Sequence, residues 1–216
     1  MEGYRDEQEV GELFPAEVFT VNIIFCPGCR KALREPVETC PACGYSGKSA
    51  VKKFPFEAPA FERFIDPNDH LGVEECQKID RALDDLANDF PQPRFCFCVV
   101  DLAAETDPRE FGFWLMNASP VRSAVEERLR PWSVLLLIDH AHARASVTPG
   151  YAIEPFIDEG SWTSLLQLES RYFSAGDYGS AILRFVKGAE VVLSEAAERA
   201  QSKMGKGRKK KRGAEW

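Results

Sequence analysis

Four cysteines within residues 26–43 constrain this chain more than any other feature. They form two Cys-x-x-Cys pairs, Cys26-Pro27-Gly28-Cys29 and Cys40-Pro41-Ala42-Cys43, ten residues apart in a chain with seven cysteines in all. Paired Cys-x-x-Cys motifs supply four thiolates to one tetrahedral ion, and zinc is the ion that this donor set suits. Pro27-Gly28 and Pro41 followed by Gly44 favour the tight turns such knuckles need. Residues 30–39 are long enough to fold the second knuckle back onto the first. Arg30, Lys31 and Arg34 offset part of the negative charge of a four-thiolate zinc site. The competing reading is a pair of redox motifs or chance core cysteines, and the paired spacing favours zinc. With all four positions filled by protein, the Zn²⁺ is structural and no position is left for substrate. A module this small takes its stability mostly from the metal, at roughly 10–16 kcal/mol of binding free energy. A knob made rigid in this way suits a protein partner.

The 216 residues are 44% hydrophobic and 28% charged, a globular profile sized for one average domain plus a small module. The net charge of −7 is unevenly spread. Seven cations and no acidic residue lie between Lys203 and Arg212, so the remainder is strongly acidic. An acidic body repels phosphate and argues against nucleic acid lying across it. The N-terminal stretch is acidic with no continuous apolar run, unlike a secretory signal, and the longest aliphatic run, residues 134–138, is far short of a membrane span. Together with an odd number of cysteines, these features predict reduced thiols and a cytoplasmic protein.

Along the chain, residues 1–18 read as a weakly ordered N-terminus and 19–48 as the zinc ribbon, with an apolar strand over 17–25 leading into the first knuckle. Residues 49–58 read as a Pro-, Ser- and Lys-containing linker, 59–200 as an α/β domain and 201–216 as a basic disordered tail. Within the domain, Val73, Cys76, Ile79, Leu83, Leu86 and Phe90 fall on one face of an amphipathic helix, with Glu74 and Glu75 in its first turn. Residues 95–100, FCFCVV, are apolar throughout and predict a strand buried on both faces, Cys96 and Cys98 on one side and Phe95, Phe97 and Val99 on the other. Cys76, Cys96 and Cys98 are assigned to core packing. Residues 108–130 read as helix, broken near 117–120. Residues 132–138 read as a second buried strand, paired with 144–148 across a turn at 140–143. Helices follow at 161–172 and 177–200.

Several short motifs in residues 61–200 resemble the TPM domain, the family named for a thylakoid lumen protein, a photosystem II repair protein and an ion-channel modulator. Phe64-Ile65-Asp66 with Leu71 resembles the family's opening Val-x-Asp and Leu. Residues 97–101 stand where the family has a Val-rich strand, and residues 132–138 resemble its Gly-Val-Leu-Leu-Leu strand. Gly150-Tyr151-Ala152-Ile153-Glu154 is similar to Gly-Tyr-Gly-Leu-Glu, with Ala152 in place of the second glycine. Arg171-Tyr172-Phe173 with Gly176-Asp177-Tyr178 resembles Phe-x-x-Gly-Asp-Tyr. The resemblance implies a three-layer α/β/α sandwich, phosphatase activity as in some relatives, and divalent-cation binding as in others.

In open α/β sheets ligands collect beyond the carboxyl ends of the strands. Asp66, Asp101 and Asp139 each follow a short apolar stretch, and parallel strands would bring them to one edge, with Glu154 and Asp158 approaching it. Such oxygens suit Ca²⁺ or Mg²⁺, although aspartate is also common at turns. His70, His140 and His142 read as loop or turn residues, the last two pointing to one side. Neither a phosphate-cradling loop nor a Cys-x5-Arg nucleophile motif is present. The leading expectation is therefore a non-enzymatic interaction protein, with a zinc ribbon for docking and a candidate cation edge. The rival is a metal-dependent phosphatase, and a third reading is an RNA- or ribosome-associated factor using ribbon and tail. The basic tail itself is expected to attract RNA or an anionic membrane surface weakly.

Overall fold

Three parallel strands and one antiparallel strand form the central sheet. The computed structural model describes residues 24–26, 28–29, 31–33 and 37–212. The expectations for residues 1–18, for most of the strand at 17–25, and for Arg30 and Arg34 lie outside the described residues. The sheet contains β3 (Phe64–Ile65), β4 (Arg94–Val100), β5 (Ser133–Asp139) and β6 (Arg144–Pro149), in that spatial order. β3, β4 and β5 run parallel, and β6 returns antiparallel beside β5.

Strand periodicity decides which side chain faces which layer. Phe95, Phe97 and Val99 of β4 enter one core together with Val134, Leu136 and Ile138 of β5, while Cys96 and Cys98 enter the other with Leu135 and Leu137. The division of FCFCVV read from the sequence is the one observed. Both buried thiols are pushed up to about 12 by desolvation, as inert core cysteines are. The first face is covered by α2 (Val73–Asp89), α5 (Glu159–Leu168), α6 (Ser170–Ala175) and α7 (Tyr178–Arg212). The second is covered by α1 (Gly47–Lys53) and α3 (Pro108–Ala118), and α4 (Ala124–Leu129) follows α3. This is the three-layer α/β/α arrangement expected.

Two local devices fix the connections. Gly150 ends β6 where a Cβ would lie 2.3 Å from the Pro131 carbonyl oxygen, so backbone approaches backbone too closely for any side chain. Gly176, at φ +72°, caps α6, and Asp177 then accepts from the Ser180 amide to start α7.

Three expectations are corrected. Residues 49–58 are not a free linker: α1 begins there with a capping box between Ser46 and Ser49, and Ala50, Phe54 and Ala58 are buried against Trp114 and Leu115 of α3. Ala50 lies in the helix, Phe54 at its C-cap and Ala58 in the extended segment beyond it. The helix expected over 161–172 is two helices, α5 and α6, meeting at Glu169, whose carboxylate is buried against Arg184 of α7. The backbone of α7 continues as helix to Arg212, through the basic run placed in a disordered tail. Among the described residues, no helix is long and apolar enough to cross a membrane.

Candidate metal centres

Each cysteine pair sits in its own tight turn. β1 (Ile24–Phe25) and β2 (Ala32–Leu33) pair antiparallel around the first knuckle, and the Cys26 amide donates to the Lys31 carbonyl. A Thr39–Ser46 bridge closes the second, where the Cys40 amide donates to the Tyr45 carbonyl and Gly44, at φ +74°, returns its amide to the Cys40 carbonyl. The four sulfurs converge within 4.8 Å of one another. Cys26 Sγ lies 3.6 Å from Cys43 Sγ, and Cys29 Sγ 3.8 Å from Cys40 Sγ. These separations are too long for disulfides. They match the edge of a tetrahedron with metal–sulfur bonds of about 2.3 Å, which is about 3.8 Å.

The electrostatics of the cluster favour a bound cation. The Ala42 backbone amide leads the causes that lower the Cys40 thiol to about 7. The Tyr45 amide also favours the Cys43 thiolate, yet burial and three neighbouring sulfurs push that thiol up to about 12. Burial raises Cys26 as well. The Cys40 thiolate forms readily near neutral pH while burial resists ionisation of Cys26 and Cys43, an opposition that a bound cation relieves.

A second cluster occupies the carboxyl edge of the parallel strands. His70 follows β3 in the loop to α2, Asp101 follows β4, and His140 follows β5. One ligand atom from each lies within 4.8 Å of the other two. His70 Nε2 is 3.8 Å from Asp101 Oδ2, is buried, and has no hydrogen-bond partner. The His70 and His140 rings stack with centroids 4.2 Å apart. Tyr178, the first residue of α7, holds His140 through a 2.5 Å contact between its hydroxyl and Nδ1, leaving Nε2 as the free ring nitrogen. Burial, and then the Asp101 and Asp139 charges, raise the Tyr178 pKa and keep the hydroxyl protonated.

The other residues assigned to this edge from the sequence have different roles. Asp66 accepts from the Leu71 amide at 2.7 Å, closing the loop that carries His70. Asp101 also accepts from Asn68 at 2.8 Å. Asp139 is fully buried and committed: it accepts from the Leu102 amide, from His142 Nδ1 at 3.0 Å and from Arg144 Nη2 at 2.6 Å. Burial works against its charge, but these donors hold its pKa below the usual carboxylate range. His140 and His142 therefore turn different ways, one to Tyr178 and one to Asp139. Glu154 and Asp158 do not reach this edge, because antiparallel β6 carries the chain back to the opposite end of the sheet before either occurs. Asp158 instead caps α5 through the Ser161 amide. The sequence reading missed His70 and His140 as a pair. The logic applied to the aspartates, a polar residue just past a parallel strand, also covers both histidines.

No protein-family model matches the chain, and no curated protein matches it. The TPM resemblance rests on the short motifs quoted above. Solved structures do match. The solution structure of the N-terminal domain of a protein from P. gingivalis is 13% identical, with a TM-score of 0.50, over 71% of this chain and 94% of that one. The N-terminal domain of the cg2496 protein from Corynebacterium glutamicum is 12% identical, with a TM-score of 0.44, over 63% and 84%. The BA42 protein from Bizionia argentinensis is 13% identical, with a TM-score of 0.47, over 60% and 86%. At such identities the P. gingivalis likeness bears on the α/β fold alone.

Proposed function

We propose that this protein is a metal-binding adaptor, with a structural Zn²⁺ held by Cys26, Cys29, Cys40 and Cys43 and an exchangeable divalent ion held by His70, Asp101 and His140. The observation that carries the reading is the convergence of those three ligands on one exposed sheet edge, with the His70 nitrogen lacking any other partner. Two imidazoles and one carboxylate suit Zn²⁺ and its first-row neighbours better than Ca²⁺ or Mg²⁺, which prefer oxygen cages. The oxygen set expected from the sequence is reduced because Asp139 belongs to Arg144, and because Asp66, which holds the Leu71 amide through Oδ2 and leaves Oδ1 buried and unpartnered, is outside the converging set of ligand atoms. Three protein ligands leave a coordination position for an anionic group of a partner. The ribbon supports that role as a fixed surface: Tyr45 packs edge-on against Phe113 of α3, and α1 is built into the second core.

The same open position favours a second reading, a metal-dependent phosphatase in which the ion would activate water. Titration of the zinc-loaded chain with Co²⁺ separates the outcomes. One additional equivalent is expected, lost in His140→Ala while the cysteine-bound Zn²⁺ stays. No additional binding would overturn the edge site. Metal-dependent turnover of p-nitrophenyl phosphate, lost in Asp101→Asn, would move the assignment to the phosphatase. The basic end of α7 adds weak, salt-sensitive attraction to polyanions such as RNA or an anionic membrane.

A further inference from the structure

β6 is the last strand of the sheet, and among the described residues nothing pairs with its outer edge. The register shows which of its groups face outward. The Gly150 amide donates to the Ser133 carbonyl at 2.7 Å, so this position is of the hydrogen-bonded type. Alternation then turns Thr148, Ser146 and Arg144 toward β5, and leaves the amide and carbonyl of Ala145 and Val147 pointing away from it. Pro149 falls in the same outward set, where its missing N–H removes nothing from the ladder.

This edge is recessed. A groove of about 900 Å³ follows it, walled by Asp107, Pro108 and Arg109 at the start of α3 on one side and by Phe156, Trp162 and Leu166 on the other. Two buried polar atoms in its lining residues, Ser146 Oγ and Trp162 Nε1, have no hydrogen-bond partner, although the residues are 5% and 3% exposed. Natural sheets blunt exposed edges with lysines, bulges or very short strands. The outward residues here are alanine, valine and proline. Pro149 blunts one end of this edge and the recess covers the rest.

We infer that this groove receives an extended peptide segment of a partner protein, added as a fifth strand antiparallel to β6. Antiparallel addition matches the ladder already present, and backbone pairing to Ala145 and Val147 supplies affinity without sequence demands. Side-chain pockets set the specificity. Every second residue of the guest meets the apolar wall of Phe156, Trp162 and Leu166. The groove's charges are unequal along its length: Arg109 and Arg144, where β6 begins, are already paired with Asp107 and Asp139, whereas Glu154, Asp158 and Glu159 line the groove beyond the end of β6 with Arg199 as the cation near them. An antiparallel guest therefore carries basic residues toward its start, opposite the acidic end of the groove. The flanking walls disfavour a second copy of this chain, whose edge strand is recessed between helices of its own.

The test uses the full, zinc-loaded chain and a displayed library of random peptides about twelve residues long, enough to overrun a strand of about 20 Å. Selected peptides are expected to alternate apolar residues after a basic start. A selected peptide should slow amide exchange at Ala145 and Val147 by about tenfold or more and leave Ser146 and Thr148, already paired, unchanged. Val147→Pro removes an outward amide, together with some packing of the valine on the first core, and Thr163→Arg fills the groove from an exposed helical position. Each is expected to weaken binding by about tenfold or more, Thr163→Arg at unchanged melting temperature and Val147→Pro with the sheet still folded by circular dichroism. Failure to select any peptide, full binding by both variants, or protected Ala145 and Val147 amides in the free chain would overturn the proposal. A concentration-dependent dimer protecting the same amides would overturn it in favour of self-pairing.

Discussion

Replacing Asp139 by asparagine separates stability from metal binding at the sheet edge. The carboxylate is fully buried and receives Leu102 N, His142 Nδ1 and two nitrogens of Arg144, the residue directly across the β5–β6 ladder. Asparagine keeps the volume and the bond from Leu102, but leaves Arg144 without its counter-charge. Breaking a buried ion pair on one side costs about 3–5 kcal/mol. The Arg144 side chain is 33% exposed and can turn toward water, which places the loss near the lower end, at about 3 kcal/mol. For a chain of this size that lowers the melting temperature by roughly 6–12 °C. Thermal unfolding by circular dichroism measures it, beside Asp101→Asn, which should move the melting temperature little because Asp101 is exposed. The pH dependence has a fixed sign. Asp139 titrates lower in the folded state, so its stabilising effect is present above the ordinary carboxylate pKa and fades as pH falls through the folded value. The gap between wild type and Asp139→Asn should therefore close in acid. An Asp139→Asn protein that melts with the wild type yet loses the edge ion would refute the reasoning and restore Asp139 as a ligand.

Two further outcomes follow from buried groups. Desolvation raises Glu154 from 4.5 to about 7, so the folded state holds its proton longer and stability declines as pH rises between those values. Because the side chain is only half-buried, the decline is about 1–2 kcal/mol, and Glu154→Gln should flatten a urea-denaturation series from pH 4.5 to 8. Phe54, 4% exposed and within 5.3 Å of the Phe111 and Trp114 rings, ties α1 to α3. Phe54→Ala should cost about 3 kcal/mol or more and speed zinc loss to a chelator, since the ribbon loses its backing. An unchanged chelation rate would show the ribbon to be energetically separate from the body.

Much of the fold was legible because period and burial coincide in it. FCFCVV declared both faces of β4, and the stepped apolar residues of α2 declared the buried Ile79, Leu83 and Leu86, although Val73 at its start is exposed. α1 was obscured because GKSAVKK resembles linker composition, and only the wider spacing of Ala50, Phe54 and Ala58 shows its packing. The cysteine cluster was legible because a close-spaced motif carries its own geometry. The edge site was half legible. Parallel strands bring Asp66, Asp101 and Asp139 to one edge, but the cross-strand register that gives Asp139 to Arg144, and the turn that sends His140 to Tyr178, are properties of pairing and not of spacing.

Native mass spectrometry of the full chain, combined with alkylation of its cysteines, tests the central claim most directly. The account predicts one Zn²⁺ that survives buffer exchange, with Cys26, Cys29, Cys40 and Cys43 protected from iodoacetamide until a strong chelator removes it. A metal-free mass with those four cysteines freely alkylated, or joined as disulfides, would contradict it.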